Sequence, residues 1–246
     1  MSTAARQARD TRHPVQQGLL SRTLSAVSSI LFWLFVALLF SILAEWVGMW
    51  LWWPDEGVDH SRQMLEQEIR YVNQDFGRSL LVSEPADYAR QFADTSYHLL
   101  FEMTRVERAI QWLSQPVDPR GSTLQATLRQ GYGVIEAHVV AAMTITQVFA
   151  VRLAVLTLAM PVFVLFGLVA IVDGLVQRDL RRWTGGRESS FVYHHAKRLI
   201  LPSIILTWVV YLGMPVSVHP NYVVLPFALL TAVALAVTAS TFKKYL

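Results

Sequence analysis

Four apolar runs, each about as long as a bilayer is thick, constrain this chain more than any other feature. Thr23 to Ala44 carries no charge, and after Glu45 the apolar run resumes through Trp53. Leu153–Val172, Leu199–Val218 and Tyr222–Phe242 add stretches of twenty, twenty and twenty-one uncharged residues. A helix needs about 20 apolar residues to cross the hydrocarbon core, and a helix satisfies its own backbone there. The expectation is an all-α, four-span transmembrane helical protein. Composition agrees: 53% of residues are hydrophobic and 16% charged, where a soluble domain carries about a quarter charged. The first run is too long for a signal peptide and lacks an A-x-A cleavage site, so it reads as an uncleaved anchor.

Basic residues set the expected orientation. Arg6, Arg9, Arg12 and Arg22 precede the first run, against Asp10 alone. The segment between the second and third runs holds Arg178, Arg181, Arg182, Arg187, Lys197 and Arg198 against Asp179 and Glu188, and Lys243 and Lys244 follow the fourth run. Pro54 to His138 instead carries thirteen acids, eight arginines and no lysine. By the positive-inside rule both termini and the basic loop are cytoplasmic, and the acidic segment lies outside. The expected layout is a cytoplasmic basic tail (1–22), transmembrane helix 1 (23–53) and a helical periplasmic domain (54–144). Transmembrane helix 2 (145–176), the basic cytoplasmic loop (177–198) and transmembrane helix 3 (199–218) follow. A short periplasmic turn (219–221), transmembrane helix 4 (222–242) and a cytoplasmic tail (243–246) complete it.

Helical periodicity runs through the insertion. Leu65, Ile69, Val72 and Phe76 form one face, and Ser83-Glu84-Pro85 reads as a helix start. Phe92, Ser96, Leu99, Met103, Val106, Ile110 and Leu113 keep a four-three spacing that predicts a packing face, before a turn at Gln115–Gly121. Leu124, Leu128, Ile135 and Val139 then lead towards the second run, so one long helix is expected to leave the insertion and enter the membrane. Gly131 and Gly133 are its weakest points. About eighty residues bury only a small core alone, so the insertion must lean on the membrane helices or a partner.

Three intramembrane charges stand out, because charge there is costly and often functional. Glu45 and Arg152 fall at the outer ends of antiparallel runs, at similar depth, which predicts a pair. Asp173 falls at the inner end of the second run, within reach of a loop arginine or Arg22. Small residues line up as Ala170 with Gly174, and as Ala232, Ala236 and Ser240. Such rows let helices approach closely, within one chain or between copies of a homo-oligomer. Trp46, Trp50, Trp52 and Trp53 read as an aromatic belt at the interface.

The basic loop fails each test for chemistry. Thr184 to Ser190 lacks the Gly-Lys-Ser/Thr end of a phosphate loop, and Arg178-Asp179-Leu180 has no accompanying kinase motifs. His194 and His195 are adjacent and diverge by about 100° on a helix, and no H-E-x-x-H spacing occurs. There is no cysteine and no G-x-S-x-G. No enzyme, cofactor or metal is expected. The loop's charges suit contact with anionic lipid at the cytoplasmic face, or with a partner.

Several motifs carry a resemblance. Glu45-Trp46-Val47-Gly48-Met49, Trp53-Pro54, Val172-Asp173-Gly174-Leu175-Val176, Arg178-Asp179-Leu180-Arg181-Arg182 and Gly186-Arg187-Glu188-Ser189 lie in the first two thirds. Tyr193-His194, Pro215-Val216-Ser217-Val218-His219-Pro220 and Phe242-Lys243-Lys244-Tyr245-Leu246 follow. Over nearly the whole chain the sequence resembles the integrating conjugative element membrane protein family, a domain family of unknown function. The resemblance implies an inner-membrane, non-enzymatic accessory subunit of a conjugative type IV secretion apparatus. It implies partnership with the membrane part of the type IV coupling ATPase and other conjugation membrane proteins, and direct contact with DNA is not expected. The alternative from a different class is a small channel or transporter using Glu45, Arg152 and Asp173. The orientation predicts that a fluorescent protein that matures only in the cytoplasm will glow when fused after Leu246. A dark fusion at normal expression level would reverse the topology.

Overall fold

The computed structural model describes residues 19–75, 85–116, 123–184 and 190–242. Among these the chain is all-α, without strands. The helices are α1 (Leu19–Leu51), α2 (Val58–Asp75), α3 (Pro85–Tyr97), α4 (Val106–Leu113), α5 (Thr123–Thr184), α6 (Ser190–Gly213) and α7 (Pro220–Ser240). A π-helical turn, His98–Glu102, follows α3. Four helices are long and apolar enough to cross a membrane: Thr23–Leu51, Leu124–Thr184, Phe191–Gly213 and Pro220–Ser240. Two compact units divide the chain, Met1–Val36 and Ala37–Leu246. The described part of the first is the start of α1, whose Leu24, Ile30 and Trp33 are exposed. All that follows concerns the second.

α1 ends where Gly48 makes room. Its carbonyl accepts from the backbone of both Trp52 and Trp53, at 2.8 and 2.9 Å. The Trp53 ring folds back over Gly48, so a Cβ at that position would collide with it. Pro54 stops the helix, and Gly57, at φ +53°, turns the chain into α2. The four tryptophans separate into two sets. Trp50 and Trp52 are exposed, as a belt requires. Trp46 donates from Nε1 to the His138 carbonyl at 2.9 Å, and Trp53 stacks on His60 at 3.9 Å.

The buried face of α2 is Ser61, Met64, Glu68 and Val72. Periodicity of apolar residues placed that face on Leu65, Ile69, Val72 and Phe76, so the helix is turned from the expected setting. Leu65 and Ile69 are half-buried, and Phe76 lies outside the described residues. The reason is Glu68, a carboxylate at the centre of the stripe that hydrophobic patterning leaves out. α3 faces inward through Ala89 and Ala93, small enough to let it approach α5. The four-three stripe from Phe92 to Leu113 does not form one packed face: Leu99, Met103 and Val106 are exposed. The π turn, closed by the Met103 N–H on the His98 carbonyl at 2.9 Å, shifts the register. Arg105, at φ 59°, then breaks the helix. Near this break, burial, with Glu107 and Glu102 adding to it, raises the Tyr97 phenol above its ordinary range.

α5 is one helix of 62 residues, about 93 Å long at 1.5 Å per residue. It carries the insertion at one end and the apolar bundle at the other, as the sequence periodicity predicts. The core follows its middle, where Ala141, Ile145, Val148, Val151, Ala154 and Val155 are fully buried. Against its later half packs α7, tied in turn to α6 by a 2.8 Å hydrogen bond between Ser203 and Thr231. At the α5–α7 crossing a Cβ on Gly174 would lie 2.5 Å from the Ala236 carbonyl oxygen and 2.7 Å from the Ala239 Cβ. Ala170, Ala232 and Ser240 are buried in the same region. The small residues singled out in the sequence therefore set a close helix approach within the chain.

Gly174→Ala forces backbone against backbone and should lower thermal stability in detergent by about 1–3 kcal/mol. Gly133 has nothing within 4 Å of its missing Cβ. Gly133→Ala should leave stability unchanged or raise it by up to ~1 kcal/mol. Equal effects of the two would refute the close crossing.

Candidate functional site

Arg152 lies on α5 and is 1% exposed. Its Nε donates to Glu68 Oε1 on α2 at 2.8 Å, and Nη2 lies 2.7 Å from the same oxygen. Nη1 donates to the Met214 carbonyl at 2.6 Å, and Nη2 to the Val216 carbonyl at 2.8 Å. The Tyr211 hydroxyl on α6 donates to Glu68 Oε2 at 3.0 Å, and its ring lies 5.5 Å from the guanidinium. Ser217 Oγ closes the far side by donating to the Met64 carbonyl at 3.2 Å. One guanidinium thus joins α2, α5 and the turn between α6 and α7.

Each of these contacts has a local cause. α6 stops at Gly213, so the carbonyls that follow have no helical donor. A cation placed on them also favours the negative end of the α6 dipole. The turn is held open by Pro220 at the first position of α7, where His219 Nδ1 accepts from the Asn221 N–H at 3.3 Å. Arginine suits the site because its planar fork serves a carboxylate and two carbonyls together.

Glu45 does not take part. The pair expected between Glu45 and Arg152 is replaced by two separate pairs. Glu45, 1% exposed, lies 3.1 Å by both oxygens from His60 Nδ1. The two carboxylates are supplied by different elements, and α2 brings Glu68 over Arg152 while His60, one turn into α2, meets the end of α1. Matching the two charges by expected depth gives the wrong partner for each. Glu68, Tyr211 and His60 were missed because each partner lies far away in sequence. The available signal was a lone carboxylate, Glu68, at the centre of an amphipathic helix face.

Asp173 is exposed and accepts from Gln177 Nε2 at 2.6 Å. It sits at one end of a shallow apolar groove between α5 and α7, beside Leu165, Val169 and Ala236. The expectation that it meets Arg22 falls on a side chain outside the described set. Of the loop cations, Arg178 pairs with Asp179 at 3.3 Å, and Arg181 donates to the Ser240 carbonyl, the end of α7. Arg182, Lys197 and Arg198 are exposed, with Lys197 5.8 Å from the centre of the Tyr193 ring. Arg187 lies outside the described residues. His195 Nδ1 bonds the Phe191 carbonyl on its own helix at 2.9 Å. Among the described residues no three His, Cys, Asp or Glu side chains gather as a metal site requires.

Removing one member of a buried ion pair strands the other, at a cost of about 3–5 kcal/mol. Glu68→Leu and Arg152→Met should each sharply lower the melting temperature of the detergent-solubilised protein. The double variant should recover part of the loss. Purely additive losses would refute the coupling.

A family model described as IncC plasmid conjugative DNA transfer protein DtrJ-like matches residues 52–243. No curated protein and no solved structure matches the chain. The matched span runs from the last turn of the tryptophan-rich segment to the end of α7. It takes in the Arg152–Glu68 pair and His60 but not Glu45, and the conjugation link agrees with the resemblance carried by the sequence motifs. The chain belongs to the DtrJ-like family, which links it to conjugative DNA transfer.

Proposed function

We propose that this protein is a non-enzymatic inner-membrane accessory subunit of a conjugative type IV secretion apparatus, with both termini in the cytoplasm. Its partner is the membrane part of the coupling ATPase. The observation that carries the reading is the use of Arg152: three hydrogen bonds and an ion-pair contact join it to Glu68, Met214 and Val216. A charge committed in this way fixes helices to one another and leaves no open coordination for a moving ion or proton. The channel alternative thereby loses its strongest motive. Glu45 is likewise committed to His60, and Asp173 lies on an outer surface.

The docking surface in this reading has two parts. One is the cytoplasmic-side cation set Arg182, Lys197 and Arg198, exposed where α5 ends and α6 begins. These cations also meet anionic lipid, at roughly 1 kcal/mol each. The other is the α5–α7 wall ending in Asp173, where a membrane helix of the partner lies against the groove.

A tagged chain, solubilised mildly from cells carrying the whole transfer region, should bring down the coupling ATPase. Exchanging Arg182, Lys197 and Arg198 for glutamine should weaken that recovery several-fold without lowering expression. A pull-down that contains other transfer proteins but no coupling ATPase would sink the proposed partnership.

A further inference from the structure

α5 is far longer than a membrane needs. Its 62 residues give about 93 Å, against ~30 Å of hydrocarbon core. Arg152 and Asp173 are twenty-one residues apart, about 31 Å along the axis, so one bilayer fits between them. Leu124 to Ile135 then lies about 25–42 Å beyond Arg152. That distance puts this stretch in water, where exposed apolar surface has a meaning it lacks in lipid.

There the helix exposes a stripe. Leu124 is 70% exposed, Leu128 47% and Ile135 51%, with Val134 alongside at 78%. With Gly131 the stripe has spacings of four, three and four, the pattern of a coiled-coil seam. Gly131 has nothing within 4 Å of its missing Cβ and an ordinary helical backbone. Inside a helix such a glycine costs about 1 kcal/mol relative to alanine, and among the described residues nothing needs the space. Close approach by another helix does.

We propose that this stripe of α5 is a self-association surface, where Leu124, Leu128, Gly131 and Ile135 meet the same residues of a second copy of the chain. Copies in one membrane share an orientation, so two such helices meet parallel, about a two-fold axis along them, with like residues level. The electrostatics fit a copy. Between Leu124 and Ala137 the charged residues are Arg129 and Glu136. Arg129 is buried, donating to the Pro116 carbonyl at 2.7 Å and to Gln115 Oε1 at 3.1 Å. Glu136 is turned about 100° from Ile135. The seam itself is uncharged: a copy meets no like charge across it, and a strongly charged partner finds no counter-charge.

The chain has no cysteine, so single cysteines report one position each. Leu128→Cys, Gly131→Cys and Ile135→Cys are expressed alone and oxidised in membranes. Ala137→Cys, exposed and half a turn from Leu128, is the control. The expected result is a band at twice 27.8 kDa from the three seam variants and a monomer from the control. A monomer at every seam position, equal dimer at Ala137→Cys, or a band of any other mass overturns the proposal. Labelling of Ala137→Cys by a membrane-impermeant maleimide tests separately that this stretch is in water; protection overturns the placement and the proposal with it. The unsubstituted chain in mild detergent should have the mass of two copies, and the mass of one would overturn the inference without any substitution. None of these readouts involves the coupling ATPase, so this inference and the proposed function fail independently.

Discussion

A guanidinium removed from water must recover in protein the hydrogen bonds it gave up, and each nitrogen of Arg152 finds an acceptor. A buried charge without such replacement is costly by several kcal/mol. Here Glu68 supplies the countercharge, and the Met214 and Val216 carbonyls accept from Nη1 and Nη2. The arrangement dictates the rest of the nearby structure. α2 must lie with Glu68 inward, α6 must end at Gly213, and the turn to α7 must present its carbonyls to α5. Tyr211 fixes the second carboxylate oxygen and seats α6 against α2. Buried ion pairs are weak sources of stability but strict about geometry, and this one specifies the junction between the insertion and the apolar bundle.

The long helix repeats the device. Arg129, twenty-three residues earlier on α5, bonds the Pro116 carbonyl just past the end of α4 and lies 5.3 Å from the Trp112 ring centre. Both arginines serve carbonyls of the segment just past a helix end. α5 thus acts as the frame on which shorter elements end, α4 at one level and α6 at another. At the far end Arg181 reaches the Ser240 carbonyl in the same way, closing α7. Three arginines on one helix hold the ends of three others.

Much of this was legible in the sequence, for identifiable reasons. Apolar runs of bilayer length mark helices because the backbone has no alternative in lipid. Small residues at 170, 174, 232 and 236 marked the α5–α7 crossing, since close approach needs them wherever it occurs. The continuity of α5 followed from the spacing of Leu124, Leu128 and Ile135. What failed was pairing. Glu45 and Arg152 were matched by depth, but depth does not say which element crosses above them, and α2 inserts Glu68 first. The face of α2 was misjudged for the same reason, because a period counted on apolar residues passes over a carboxylate. The π turn at His98–Glu102 has no signature in spacing at all, and it is what leaves Leu99 and Met103 exposed.

The order of synthesis gives the Arg152 junction a further consequence. Glu68 precedes Arg152 by 84 residues, while Met214 follows it by 62. When Arg152 leaves the ribosome its carboxylate partner already exists, but half of its acceptors do not. Tyr211, 143 residues after Glu68, arrives just ahead of Met214. α2 and α5 alone therefore hold only the Glu68 side of the junction. The junction is drawn from segments on both sides of Arg152 in the chain, and it is whole only once the turn between α6 and α7 is present.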